Sequence, residues 1–313
     1  MDADVLYSAF LVLLVRHAAT APINTGRLAH ALFLNLIGQF DPLLSARLHD
    51  EPGYRPFTVS PIHGLPITGQ HTLLQSGQTC YLRITLLDGG SLWHKLCCHF
   101  LESGPVLVQL GDSELQLIRI LSTPDADPTG WVSSVNWQTL YTHPAKQSIT
   151  MNFASPTAFS WGNRSFVLFP KPLLLWESVL HVWNRYAPAC YRVERQGLRE
   201  SLMRSVRVAK CSLHTNTLFF PGFCQKGFVG SCNYIIEAPD DFASLLTTLA
   251  AFAQYAGAGY KTAMGMGQVR ATFDDQLRDV PVLYGGQFDE TGKSLYEKGL
   301  GQVKYAPLAK WLV

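Results

Sequence analysis

The residues of this chain best equipped for chemistry are its ten histidines, a cluster of arginines and one glycine-rich loop that carries a lysine. Histidine suits proton transfer because its ordinary pKa lies near neutrality. Arg27-Leu-Ala-His30 sets a guanidinium and an imidazole at i and i+3, so on a helix both would face one phosphate. The loop Tyr255-Ala-Gly-Ala-Gly-Tyr-Lys-Thr-Ala-Met-Gly-Met-Gly-Gln-Val-Arg270 adds Lys261. Its four glycines, Gly257, Gly259, Gly265 and Gly267, permit close chain approach, and exposed N–H groups there would suit anionic oxygens.

The polarity of that loop excludes the common nucleotide sites. A P-loop or a dinucleotide fingerprint runs strand, glycine turn, helix. Here a helix comes first: Pro239-Asp-Asp241 starts it, Phe242, Leu245, Leu246, Leu249 and Phe252 keep helical spacing, and Gly257 stops it. A strand follows at Gln268–Phe273, and Tyr260 separates Gly259 from Lys261, which removes the Gly-Lys-Thr junction. On pattern alone a structural connection and an anion- or RNA-contacting loop stand level.

Other elements must position these groups. A chain of 313 residues, 47% hydrophobic and 15% charged, is globular and long enough for two domains. The first half reads as strand 5–16, helix Thr25–Gln39, strands Cys80–Leu86 and Leu115–Leu121, and a helix around Trp93–Ser103. Pro124–Gly130 is a turn-rich break. The second half repeats the theme: strand Ser148–Ala154, a hairpin to Val167–Pro170, helix Leu173–Tyr186, strands near Thr217–Phe220 and Tyr234–Glu237, then the helix and strand around the loop. The expected class is α+β, with tandem ferredoxin-like (RRM-like) βαββαβ domains and a C-terminal Gly-rich loop. The expected boundaries are 1–128, 129–285 and a C-terminal extension at 286–313.

A net charge of +2 is too small to announce nucleic-acid binding, so any basic footprint must be local. Arg185, Arg192, Arg195, Arg199, Arg204, Arg207 and Lys210 form such a concentration, opposed by Glu194 and Glu200. If residues 190–208 are helical, Arg192, Arg195 and Arg199 share one face. A solvated helix surface is the alternative. Seven cysteines without a Cys-x-x-Cys pair indicate neither a disulfide framework nor a zinc site, and imply a reducing, cytoplasmic setting. The apolar run Val5–Val15 is too short to span a bilayer and reads as a buried strand, so no membrane is expected.

Four blocks carry a family likeness. Gly257, Gly259, Lys261, Thr262, Gly265, Met266, Gly267 and Gln268 form the first. The second is Leu44-Ser-Ala-Arg-Leu-His-Asp50 with Pro56-Phe-Thr-Val-Ser-Pro61; the third is Ala154-Ser-Pro-Thr157 with Phe169-Pro-Lys-Pro172; the fourth is Gly227-Phe-Val-Gly230. Over about residues 5–273 the chain resembles the CRISPR-associated endoribonucleases that cut repeat RNA, the sixth Cas family of the RAMP superfamily.

That resemblance implies a metal-independent endoribonuclease without cofactor, which binds the CRISPR repeat stem-loop and yields crRNA with 2′,3′-cyclic phosphate and 5′-hydroxyl ends. Such cleavage needs a base for the 2′-hydroxyl, an acid for the departing 5′-oxygen and positive charge at the phosphorane. By resemblance His49 is catalytic, His30 is its partner on the first helix, and Arg27 stabilises the phosphate. Arg55 stands where some relatives have a catalytic lysine; a guanidinium stays charged and so stabilises charge without moving protons. Leu34 stands where others have a tyrosine, and no motif supports His17. RNA contacts are expected from Arg55, Arg192, Arg195, Arg199, Arg204 and Arg207, and from Gly257, Gly259, Lys261, Thr262, Gly265, Gly267 and Gln268. Paired RNA would be held mainly through shape and phosphates, and Tyr54, Phe57, Tyr255 and Tyr260 are candidates to stack on unpaired bases. Other CRISPR effector subunits are expected partners. The alternative is a non-cleaving repeat-binding subunit of an effector or transposon-linked complex; a spacer-coating backbone subunit is a weaker one.

Overall fold

The computed structural model describes residues 4–273 apart from 51–52, 88, 163–164 and 221–222. The expected extension 286–313 lies outside the described residues, as does the second domain's end at 285.

Two antiparallel sheets organise the chain. The first is built from β1 (Val5–Val15), β2 (Phe57–His63), β3 (Thr79–Leu86), β4 (Val106–Leu110) and β5 (Ser113–Leu121), in the spatial order β2-β3-β1-β5-β4. Helix α1 (Gly26–Phe40) connects β1 towards β2, with α2 (Pro42–Asp50) following it, and α3 (Gly89–Glu102) connects β3 to β4. The strand β6 (Ser133–Asn136) pairs with the start of β1, so the chain returns to the first sheet beyond the expected boundary at 128/129. The second sheet has the order β8-β9-β7-β10, from β7 (Ser148–Thr157), β8 (Val206–Phe220), β9 (Phe223–Ile236) and β10 (Val269–Thr272). Its helices are α4 (Pro172–Tyr186), α5 (Leu198–Ser205) and α6 (Asp240–Ala256). Each sheet carries the ferredoxin-like arrangement once, so the chain contains it twice, as the periodicity leads one to expect.

The unbroken apolar run of β1 has a physical reason. Leu11, Leu13 and Val15 face the first core beneath α1, while Phe10 and Val12 face Tyr81, Trp131 and Ala154 of the inter-domain core. A strand covered on both faces loses polar alternation. Among the described residues, no helix is long and apolar enough to cross a membrane.

One expectation fails. Residues 190–208 are not a single helix: a 3-10 turn at Ala189–Tyr191 gives way to extended chain, Gly197 takes φ 75°, α5 begins at Leu198, and β8 starts at Val206. Arg192, Arg195 and Arg199 therefore share no helix face, because the glycine's left-handed turn resets the chain direction.

His63 ends β2 and is 5% exposed. Burial pulls its pKa down to about 3, and Arg83 adds to this. The folded state therefore binds fewer protons than the unfolded state between pH 6.5 and about 3. Stability is complete above 6.5 and falls as the pH drops through that window, by about 1.4 kcal/mol per pH unit for this one group. At about pH 5 the loss expected from His63 is about 2 kcal/mol. Denaturant midpoints measured across this range in wild type and His63→Gln check it, the variant having the flatter profile.

Candidate active site

The glycine-rich loop seats itself against α1 and β2. The Gly265 N–H donates to the Val59 carbonyl at 3.1 Å, and the Ala263 carbonyl accepts from His30 Nδ1 at 2.9 Å. A Cβ on Gly26, the first residue of α1, would stand 2.1 Å from the Met264 carbonyl oxygen, and Gly265, at φ 84°, lies against the same Gly26 backbone. Helix start and loop can meet this closely only through glycines.

Most of the loop's polar backbone is already engaged. The N–H groups of Gly257, Ala258, Tyr260, Met264, Gly265, Met266 and Gly267 donate to protein carbonyls, and that of Gln268 to Ser155 Oγ. Gly257, Gly265, Gly267 and Gln268 are buried. The expectation that these four contact RNA is corrected: they build the loop, since a buried N–H must be paired within the protein. Gln268, 1% exposed, reaches Arg83, Thr58 and Val59. Half-buried Lys261, with Gly259 and Thr262 buried on either side of it, lines a cavity of about 720 Å³ between the two domains.

His30, Arg55 and Arg195 line the same cavity. His30 is buried to 8% exposure beneath it, its ring stacked on Phe57 with centroids 5.7 Å apart. A carbonyl only accepts, so Nδ1 carries the proton in the bond to Ala263 and Nε2 keeps its lone pair in the neutral ring. Burial lowers the His30 pKa foremost; the Ala263 bond opposes this, and Arg55 and His49 lower it further. Lys261 is the only non-glycine residue at positive φ (57°) among those described. Its Nζ lies 4.3 Å from the ring centroids of both Phe220 and Phe223 and 5.3 Å from that of Tyr260. Burial lowers its pKa, and so does Arg27. Among the described residues, no ion pair neutralises Arg27, Arg55, Arg195 or Lys261.

Other expected site residues lie elsewhere. His49, exposed on α2, pairs with Asp50 at 3.0 Å and lines a separate hollow; its carbonyl accepts from Arg55 at 2.8 Å, and its imidazole is near enough to His30 to lower that group's pKa. Arg27 is exposed whereas His30 is buried, so the two do not present one surface although both lie on α1. Arg192 donates to the Ala187 carbonyl, Arg207 pairs with Glu237 at 2.6 Å, and Arg199 and Arg204 are exposed on α5; none lines the cavity. Phe57 and Tyr255 are core residues, unavailable for stacking, while Tyr54 and Tyr260 line the cavity. Sequence reasoning passed over His181 and Glu177 of α4, which also line it. Their i, i+4 spacing on the predicted helix was the available signal.

Paired ferredoxin-like domains that meet at a cleft carrying Arg55, Arg195, Lys261 and the buried His30 define the class of fold. The chain belongs to the Cas6 family: the model described as "CRISPR Cas6 N-terminal domain" matches residues 5–142, and that described as "CRISPR-associated endoribonuclease Cas6" matches residues 151–269. A Mycobacterium tuberculosis "CRISPR-associated endoribonuclease Cas6" is 27% identical over 130 residues, 42% of this chain and 40% of that protein. The match thus spans well under half of the curated relative. A solved "Cas6 product complex" superimposes with a TM-score of 0.72 at 27% identity, over 86% of this chain and 100% of that one. Thermus thermophilus Cas6 gives 0.66 at 26% identity, over 87% and 100%. A structure described as "An RAMP protein binding different RNA substrates" shares the fold, at 14% identity and a TM-score of 0.52 over 85% of this chain and 99% of that one.

Proposed function

We propose that this chain is a metal-independent endoribonuclease that binds the CRISPR repeat stem-loop and cuts precursor crRNA by attack of a 2′-hydroxyl, leaving 2′,3′-cyclic phosphate and 5′-hydroxyl ends. The observation that carries it is the His30 imidazole, held by the Ala263 carbonyl so that Nε2 is the acceptor at the floor of a cationic cleft. A neutral, oriented imidazole is the group a 2′-hydroxyl must give its proton to. Lys261 and Arg55, which line the cleft, and Arg27, near enough to Lys261 to lower its pKa, supply positive charge for the phosphorane. His49, joined to the cleft through the Arg55 bond, is the proton donor to the leaving 5′-oxygen. The product RNA stays on the cationic surface, and the protein then serves as a cytoplasmic effector-complex subunit.

Cleavage of the locus's own repeat RNA in EDTA, with wild type beside His49→Ala, tests this. Cutting that survives EDTA and is lost on His49→Ala supports the full assignment. The binding-only reading is favoured by one observation, that the His49 side chain lines a separate hollow. Tight binding of uncut repeat RNA by wild type would establish it.

Lys261→Ala should weaken repeat RNA binding by about tenfold and reduce the slope of log K against log salt by about 0.7–0.9, the share of one phosphate contact. Filter-binding titrations at several salt concentrations check both numbers. An unchanged slope would remove Lys261 from the phosphate path.

A further inference from the structure

The cavity extends well beyond His30. Its far end is walled by Tyr54, Glu177, Ser178, His181 and Arg195, none of which the reaction proposed above uses. These residues form an ordered set. Arg195 Nη2 lies 2.8 Å from His181 Nδ1, and a guanidinium only donates, so His181 accepts there and carries its proton on Nε2. The Tyr54 ring packs on His181 with centroids 5.1 Å apart, and the Tyr54 carbonyl accepts from the Tyr186 hydroxyl at 2.6 Å, which fixes the chain beneath the ring. Ser178 Oγ donates to the Leu175 carbonyl at 2.8 Å, so towards the cavity it offers lone pairs. Glu177 and His181 stand one turn apart on α4, an acceptor beside a donor.

An aromatic face, a cation and an adjacent acceptor–donor pair are the recognition groups of an unpaired nucleotide. The volume of about 720 Å³ lies within the range of pockets that enclose a small organic ligand. Resting on the endoribonuclease reading, we propose that this far end is a nucleotide subsite: an unpaired nucleotide adjoining the scissile phosphate turns out of the RNA stack into it. Its base lies against Tyr54, its phosphate meets Arg195, and its edge is read by Glu177 and His181. An acceptor-only carboxylate favours a base with an exocyclic amino group and disfavours uracil O4. The subsite therefore sets specificity at one position beside the cut.

The test is an abasic scan of repeat RNA, one nucleotide at a time on either side of the cut, with wild type, Tyr54→Ala, Tyr54→Phe and Glu177→Gln. One abasic position is expected to lower kcat/KM by roughly ten- to hundredfold, the measured range for loss of one base–aromatic stack. Tyr54→Ala should show a similar loss on intact RNA and no further loss on that abasic RNA, while Tyr54→Phe, which keeps the ring, should recover most of the rate that Tyr54→Ala loses. Glu177→Gln, at an exposed site, should fold normally and narrow the preference for an amino-bearing base over uracil there. Normal cutting by wild type with a flat abasic scan would overturn the subsite and leave the endoribonuclease reading standing. If wild type binds without cutting, that reading fails, and affinities across the same scan decide the subsite by the same pattern.

Discussion

His30→Asn is expected to leave repeat RNA binding and stability close to wild type and to slow cleavage by roughly 10²- to 10⁴-fold, the usual contribution of one general base. Asparagine keeps an N–H to offer the Ala263 carbonyl, so the loop stays seated, but it has no basic nitrogen. The substitution thereby separates proton transfer from loop positioning, which His30→Ala would confound. Single-turnover rates on wild-type repeat RNA, with affinity measured in parallel, give the split. A rate within about threefold of wild type would remove His30 from the reaction. The pH profile supplies an independent check. His30 acts unprotonated, and burial, then Arg55 and His49, hold its pKa below the ordinary 6.5 against the opposing Ala263 bond. The rate should therefore not fall as the pH drops through 6.5 and should decline only at lower pH, whereas with an unperturbed histidine base half of the base would already be protonated at 6.5.

Much of this architecture was legible in the sequence because each helix has an apolar stripe. The expected helix Thr25–Gln39 is observed as α1, Gly26–Phe40, a residue off at each end; of the stripe Leu28, Ala31, Leu32, Asn35 and Leu36 that suggests it, Ala31 and Asn35 are exposed, and the buried side also includes Ala29, Phe33 and Ile37. Strand ends fared less well. The expected short strands at 217–220 and 234–237 are parts of a long hairpin, Val206–Phe220 paired with Phe223–Ile236. Much of the first strand is solvent-facing and polar, so backbone pairing specifies it and no hydrophobic period betrays it. The site divides along the same line. His30, Arg55 and Lys261 were within reach of pattern and resemblance, but their convergence depends on chain segments some 230 residues apart, as the His30–Ala263 bond illustrates. His181 and Glu177 belong to α4, whose periodicity reports only the buried stripe of Leu175, Val179 and Val182. The outward side of such a helix acquires a role only when the other domain closes over it.

Arg83 is the point at which that closure is fixed. It lies on β3, is 1% exposed, and forks across the domain boundary: Nε donates to Ser8 Oγ at 3.1 Å, Nη2 to the Gln254 carbonyl at 2.7 Å, and Nη1 to Gln268 Oε1. Its guanidinium lies 4.7 Å from the Trp131 ring centroid, and Arg270 shares that ring. Burial pushes its pKa down to about 9, so it remains charged at neutral pH. Arg83→Ala leaves a cavity and strips Ser8, Gln254 and Gln268 of their donor; at about 1–3 kcal/mol for each orphaned acceptor, offset by release of a desolvated charge, the net loss expected is about 3 kcal/mol. For a chain of this size that lowers Tm by roughly 6–12 °C. Arg83→Met separates the two effects. Methionine fills the volume and removes the buried charge, so stability should fall by only about 1 kcal/mol. It cannot hold Gln268, however, and Gln268 bonds Thr58 and Val59 on β2, the strand that also receives the loop at Gly265. With that tie gone the Ala263 carbonyl no longer fixes the His30 ring, and cleavage should slow by about tenfold or more while the protein stays folded. Wild-type cleavage by Arg83→Met would mean that the loop is held by its glycine contacts alone and that Arg83 serves only to join the domains.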